Sequence, residues 1–159
     1  MICALRADQV DLVAQFYQEA PDYWQLAEGG CDPARQAAEF FTDCPPGCDP
    51  DASARLGLFL DGRLSGVAEV SFGFPTDGDA YLGLMMLGAW AQNAGHGAVF
   101  LAHVETIARR ANAPVLYLAV LDANPRGRAF WLRQGFTPTG LRRFDAGTEH
   151  WIERLEKRL

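Results

Sequence analysis

Apolar positions recur at helical spacing at the start of the chain, at strand spacing in its middle, and at both afterwards. Residues 1–7 suit a short first strand. Val10, Val13, Ala14, Phe16 and Tyr17 then follow a helical repeat, with Asp8 expected as its cap. Pro21 interrupts the repeat, residues 22–27 read as a further short helix, and Gly29-Gly30 ends it. Asp32-Pro33 opens a third helix, with proline at the favoured first position and Ala37, Phe40 and Phe41 on its apolar face. Residues 44–51, dense in proline, glycine and aspartate, form a loop.

Strand periodicity takes over at residues 55–60. Asp61-Gly62 is a strong hairpin signal and returns the chain as a strand over 64–74. There Ala68, Val70, Phe72 and Phe74 share one face, while Val67, Glu69 and Ser71 share the other. Pro75 to Gly78 turns into a third strand, 80–87, which completes an antiparallel meander. From about Ala98 a helix buries Phe100, Leu101, Val104, Ile107, Ala108 and Ala111. Pro114 stops it, and residues 115–120 form a buried strand, parallel to 80–87 through the helical crossover. A helix over 122–134 closes at Gly135, a strand starts at Phe136, and a last one covers 149–155. The class is α/β: a mixed, mostly antiparallel sheet flanked by helices, with one parallel strand pair.

Composition narrows the setting. A chain of 159 residues, 49% apolar and 21% charged, suits a single soluble domain over 1–159. No apolar stretch is long enough to span a bilayer and no signal peptide is visible, so a cytoplasmic location without membrane contact is expected. Cys3, Cys31, Cys44 and Cys48 match no standard zinc spacing, and no metal is expected. Charge is uneven: residues 1–87 carry 4 basic against 14 acidic side chains and residues 88–159 carry 10 against 6, within a net charge of −6. That division suits an anionic cofactor held by the C-terminal half and a cationic acceptor held by the N-terminal half. A pI near 5.0 without a basic stripe argues against nucleic acid.

The candidate chemistry centres on Gln92-Asn93-Ala94-Gly95-His96-Gly97, between the strand at 80–87 and the helix from Ala98. Strand, glycine loop and helix start present orphan N–H groups and the positive helix pole to an anion. Phe100 stands where a dinucleotide fingerprint needs its third glycine, and no Gly-Lys-Ser/Thr follows, so neither a Rossmann loop nor a nucleotide triphosphate loop fits.

Gln92, Gly95 and Gly97, followed at set intervals by Asn124, Gly127, Phe130-Trp131 and Gly135-Phe136, resemble the two signature motifs of the GNAT superfamily of acetyl-CoA-dependent N-acetyltransferases. The resemblance is strong over residues 56–136 and thin before them. It implies a GNAT-like fold whose parallel strand pair forms the cofactor cleft. Acetyl-CoA would be co-substrate, with its pyrophosphate on the amides of Asn93, Ala94, Gly95, His96, Gly97 and Ala98. Met85, Met86 and Leu87 would border the pantetheine arm, a main-chain N–H at Leu87 would polarise the thioester, and Asn124, Gly127, Phe130 and Trp131 would line the opposite wall. The implied acceptor is a primary amine of a small molecule or peptide, with Tyr23 and Trp24 as candidate pocket walls. A homodimer is an allowed assembly.

Three departures from the family pattern stand out. Asn93 and Ala94 replace a glycine and a basic residue in the loop; Asn tolerates left-handed φ, but one cation is lost unless Arg126, Arg128 or Arg133 replaces it. Trp131 stands where relatives carry a thiolate-protonating tyrosine, and indole does not titrate usefully. Residues 80–91 contain no carboxylate or histidine, which leaves Glu69, on the adjoining strand, as the candidate general base. The alternative for Glu69 itself is an exposed strand residue, and the missing tyrosine and unassigned base motivate an alternative function, a GNAT-like acyl-CoA-binding module with little or no transferase activity. His96 and His103 are expected to serve packing or surface roles.

Overall fold

Hairpin and crossover signals combine into a seven-stranded sheet. The computed structural model describes residues Met1–Leu159. Strands β1 (Ile2–Ala4), β2 (Ala54–Leu60), β3 (Arg63–Phe72), β4 (Ala80–Leu87), β5 (Val115–Leu121), β6 (Thr137–Asp145) and β7 (His150–Arg158) lie in the order β1-β2-β3-β4-β5-β7-β6. Asp61 and Gly62 adopt φ of 49° and 80°, the paired left-handed geometry that joins β2 to β3 in a tight hairpin. Every pairing is antiparallel except β4 with β5, which is parallel and extends only from Ala80–Leu116 to Leu82–Leu118. Past Leu82 the two strands separate.

Gly83 marks the separation. Glu69 on β3 faces Leu84 and Val70 faces Leu82, so Gly83 is an extra residue, a β-bulge that reverses the facing of the later β4 residues. Leu82 therefore packs under α4 (His96–Arg110) and α5 (Pro125–Arg133) with Phe100, Leu101, Val104, Leu116, Leu118 and Phe136. Leu84 packs on the opposite face, against the layer of α1 (Val10–Glu19), α2 (Asp22–Glu28) and α3 (Pro33–Thr42), where Val13, Phe16, Tyr17, Ala37 and Phe40 are buried with Val67 and Met86. These helices do cover the sheet in amphipathic fashion, as their repeats require.

Several boundaries differ from the sequence reading. Asp8 does not cap α1: it lies inside a 3-10 turn, Ala7–Gln9, that begins because Gln9 Oε1 takes the Arg6 N–H at 2.9 Å. The fifth helix starts at Pro125, not at 122, because proline disfavours helical backbone at Asn124 and leaves that residue as the cap. Ala111 is exposed beyond the end of α4, where Asn112 turns at φ 60° and Ala113 is buried in its place. Strand β3 stops at Phe72 because Gly73 turns at φ 97°, so Phe74 leaves the β3 stripe and meets Tyr81 edge-on. Strand β5 is buried on one face only, with Ala119 exposed where no helix covers the sheet. No helix is long and apolar enough to cross a membrane.

Candidate active site

The wedge between β4 and β5 opens into a cavity of about 760 Å³, lined by both strands, the loop before α4, α5 along its length, and the α1–α2 junction from Glu19 to Tyr23. Its β4 wall is defined by hydrogen-bond phase. The Gly88 N–H donates to the Ser65 carbonyl at 2.9 Å, which makes Gly66–Leu87 a non-hydrogen-bonded pair of the β3–β4 ladder. The main-chain groups of Leu87, and two residues earlier those of Met85, therefore point away from β3 and into the wedge. Gln92 Nε2 donates to the Leu87 carbonyl at 3.0 Å, so the glutamine of the loop fixes the end of β4. Met86 alternates with these residues: its main-chain groups face Val67, its side chain is buried in the core under α1–α3, and it adds only a flank to the cavity wall.

The loop leaves a run of amides unpaired. None of the N–H groups from Asn93 to Ala98 donates to a protein acceptor, and the Gly95 N-cap contributes no side-chain cap. Asn93 and Gly95 sit at φ 62° and 82°, which turns these amides towards one side at the positive pole of α4. Gly97 answers to packing, because a Cβ there would lie 3.2 Å from the Phe130 ring. Gln92, Asn93, Gly95, Gly97 and Ala98 line the cavity, whereas Ala94 and His96 do not. Of the three arginines considered as replacements for the lost loop cation, Arg126 Nη2 donates to Asn93 Oδ1 at 3.0 Å and borders the cavity. Arg133 borders it as well, while Arg128 is held by Glu153 at 2.7 Å.

Asn124 and Gly127 are first of all a structural pair. Asn124 Oδ1 accepts the Gly127 N–H at 2.9 Å and caps α5, and any Cβ on residue 127 would strike the Asn124 amide. Phe130 and Trp131 stack edge-on, and Trp131 also meets Phe136 in the core. Trp131 thus packs, with one edge reaching the cavity.

Glu69 is no exposed strand residue: it is 6% exposed, in a smaller cavity of about 330 Å³ that shares Tyr23, Gly83 and Leu84 with the large one. Its carboxylate accepts a hydrogen bond from Ser71 Oγ, which lies 2.9 Å from Ser53 Oγ. Burial pushes the Glu69 carboxyl above its ordinary value, and the Ser71 bond and the Arg55 charge only partly oppose that rise. Arg55, opposite Glu69 across the β2–β3 ladder, is itself buried and donates to the carbonyls of Phe40, Asp43, Pro50 and Ser53. It fastens the loop after α3 beside the carboxylate. The bulge at Gly83 belongs to the same arrangement, since a Cβ there would collide with the Glu69 carboxylate. Tyr23 and Trp24 both line the smaller cavity, and their rings meet edge-on at 5.2 Å. The four cysteines are unpaired thiols.

The parted parallel strand pair thus has an amide-rich loop at one end and a buried carboxylate near the other. The model of the GNAT acetyltransferase family matches residues 13–136, and the chain belongs to that family. Among solved structures it is similar to an acetyltransferase from Thermus thermophilus, with 22% identity, TM-score 0.77, and coverage of 100% of this chain and 96% of that one. It is also similar to the ribosomal-protein-alanine N-acetyltransferase of Brucella melitensis, with 19% identity, TM-score 0.75, and coverage of 100% and 99%. A putative streptothricin acetyltransferase of Bacillus anthracis, solved in complex with acetyl coenzyme A, matches with 15% identity and TM-score 0.61 over 67% of this chain and 62% of that one. No curated protein matches the chain in sequence.

Proposed function

We propose that this chain, acting as one unit, moves an acetyl group from acetyl-CoA to a primary amine by direct attack. The observation that carries the reading is the unbonded run of amides from Asn93 to Ala98, beside a wedge into which Met85 turns its main-chain groups and Leu87 a free N–H. The loop amides and Arg126 would hold the pyrophosphate, and the β4 edge would pair with the pantetheine arm. The Leu87 N–H would stabilise the oxyanion as the amine nitrogen bonds to the thioester carbon. Cleavage of the carbon–sulfur bond then releases the CoA thiolate, a leaving group able to depart without an acid at position 131. Glu69 would take the amine proton, directly or through water, and holding the amine against the thioester contributes a large proximity effect.

The buried packing of Trp131 favours a second reading, an acyl-CoA-binding module with little turnover. Thiol release from acetyl-CoA across an amine panel separates the two. The transferase reading expects steady, amine-dependent release with at least one amine; saturable acetyl-CoA binding without such release would favour the module.

A further inference from the structure

The two oxygens of the Glu69 carboxylate have different neighbours. Oε2 faces Gly83, where an added Cβ would strike it, and Gly83 lines both cavities. Oε1 is turned instead to Ser71 Oγ, whose hydrogen bond it accepts. Residues 69 and 71 share one face of β3 because strand residues alternate. The register that pairs Arg55 with Glu69 and Ala54 with Val70 brings Ser53 opposite Ser71. Ser53 Oγ lies 2.9 Å from Ser71 Oγ and donates to the Asp49 carbonyl at 3.3 Å. Ser71 is fully buried, Ser53 half-buried and Asp49 exposed. A line of hydroxyls therefore runs from the carboxylate to the surface, and neither serine lines either cavity.

This line can be hydrogen-bonded in both directions. With Glu69 ionised, Ser53 donates to Ser71 and Ser71 donates to Oε1. With Glu69 protonated on Oε1, the carboxyl donates to Ser71, Ser71 to Ser53, and Ser53 to the Asp49 carbonyl. A serine hydroxyl has one hydrogen and two lone pairs, so every hydroxyl hydrogen is paired in either state. The line also leaves by a side that ligands do not fill. An amine proton reaches Glu69 from the cavities, and bound donor and acceptor would close that side to water.

We propose that Ser71 and Ser53 carry the amine proton from Glu69 to solvent. The inference rests on the transferase reading with Glu69 as base. The amine N–H bond breaks and its proton bonds to Oε2. Rotation about χ3, a broad and roughly two-fold torsion, then presents that proton to Ser71 from the Oε1 position. Ser71 takes it and passes its own hydrogen to Ser53, and Ser53 passes its own to water. One proton enters and one leaves, and the carboxylate and both hydroxyls end as they began. The nearby Arg55 charge favours the ionised carboxylate to which the line returns.

The test compares Ser53→Thr with Ser53→Val, which match in shape and differ by the hydroxyl, at a half-buried position outside both cavities. Initial rates of thiol release are measured across the pH–rate profile, in H2O and D2O, with Ser71→Ala and Glu69→Gln alongside. The Val variant should show a kcat at least about tenfold below that of the Thr variant, short of the roughly 10²–10⁴-fold that a positioned proton acceptor itself contributes. The KM for the amine and the Kd for acetyl-CoA should be the same in both. The difference should persist at pH values well above those at which Glu69 ionises, and the solvent isotope effect on kcat should be larger in the Val variant, where proton departure limits turnover. Ser71→Ala should behave as the Val variant does. Equal kcat in the Thr and Val variants, or a difference that vanishes at high pH, overturns the inference and leaves the serines only to tune the carboxyl. Loss of rate in Glu69→Gln with intact serine variants overturns the relay alone. An unaltered Glu69→Gln rate removes the base and the relay with it, and no amine-dependent release from the unsubstituted protein contradicts the transferase reading beneath both.

Discussion

Three neighbours set the state of the Glu69 carboxylate. Ser71 orients the carboxylate, Arg55 supplies a nearby positive charge, and Gly83 leaves the space it occupies. A base must be ionised to accept a proton, and burial holds this carboxyl above the roughly 4.3 of a free glutamate. The amine-dependent rate should therefore rise with pH through that elevated value and fall away on its acid side. Glu69→Gln should lower kcat by about 10²–10⁴-fold and remove that limb, while the Kd for acetyl-CoA stays unchanged; a pH–rate series on both proteins checks it, and an unaltered rate takes Glu69 out of the mechanism. Arg126→Ala should raise the acetyl-CoA Kd about tenfold, near the lower limit for a hydrogen bond to a charged group. Calorimetry reads that change directly. Strand alternation placed Glu69 on the face opposite Ala68 and Val70, which is where it lies. Its burial was not legible, because the cover comes from α2 and from the loop that Arg55 fastens, contacts far apart in sequence.

At the scale of elements, the site is made by a single extra residue in β4. Had β4 and β5 stayed paired beyond Leu82, no wedge would exist; the bulge at Gly83 turns Leu84 into the other core as the strands part. Gly83→Ala should press on the Glu69 carboxylate and depress kcat with less effect on acetyl-CoA affinity, at about 1–3 kcal/mol of stability lost to overpacking. Urea unfolding alongside initial rates measures both. Gly95→Val faces a different obstacle. Open space surrounds the added Cβ, but φ of 82° is poorly suited to a β-branched residue. The substitution should cost about 1–3 kcal/mol and weaken acetyl-CoA binding by intruding on the anion path; undiminished affinity would contradict the cradle. The order of elements, the hairpin at Asp61-Gly62 and the crossover through α4 were legible from spacing and turn residues. The bulge was signalled only by one glycine inside an apolar strand, a mark it shares with plain packing glycines such as Gly66, which meets Leu87 and Met86 across the ladder. Where α5 begins was hidden because Asn124 and Gly127 read as cofactor contacts, while their mutual hydrogen bond sets the helix start.

The whole molecule divides along the same wedge. Residues 1–87, with the acidic excess, form β1–β4 and the α1–α3 layer around the smaller cavity. Residues 88–159, with the basic excess, supply the loop, α4, α5 and the remaining strands. Donor and acceptor would meet at the seam, each on the half of opposite charge. A ligand at a hundred times its Kd stabilises the native state by about 2.7 kcal/mol, so saturating acetyl-CoA should raise Tm by roughly 5–10 °C for a domain of this size. Differential scanning calorimetry with and without acetyl-CoA tests that rise, and its absence would argue against tight binding. The most direct test of the account is residue-resolved amide hydrogen exchange with and without saturating acetyl-CoA. Exchange should slow at Met85, at Leu87 and across Asn93 to Ala98, with little change in β1 and β2. Unchanged exchange at those amides, with acetyl-CoA bound, would place the cofactor elsewhere and contradict the proposed site.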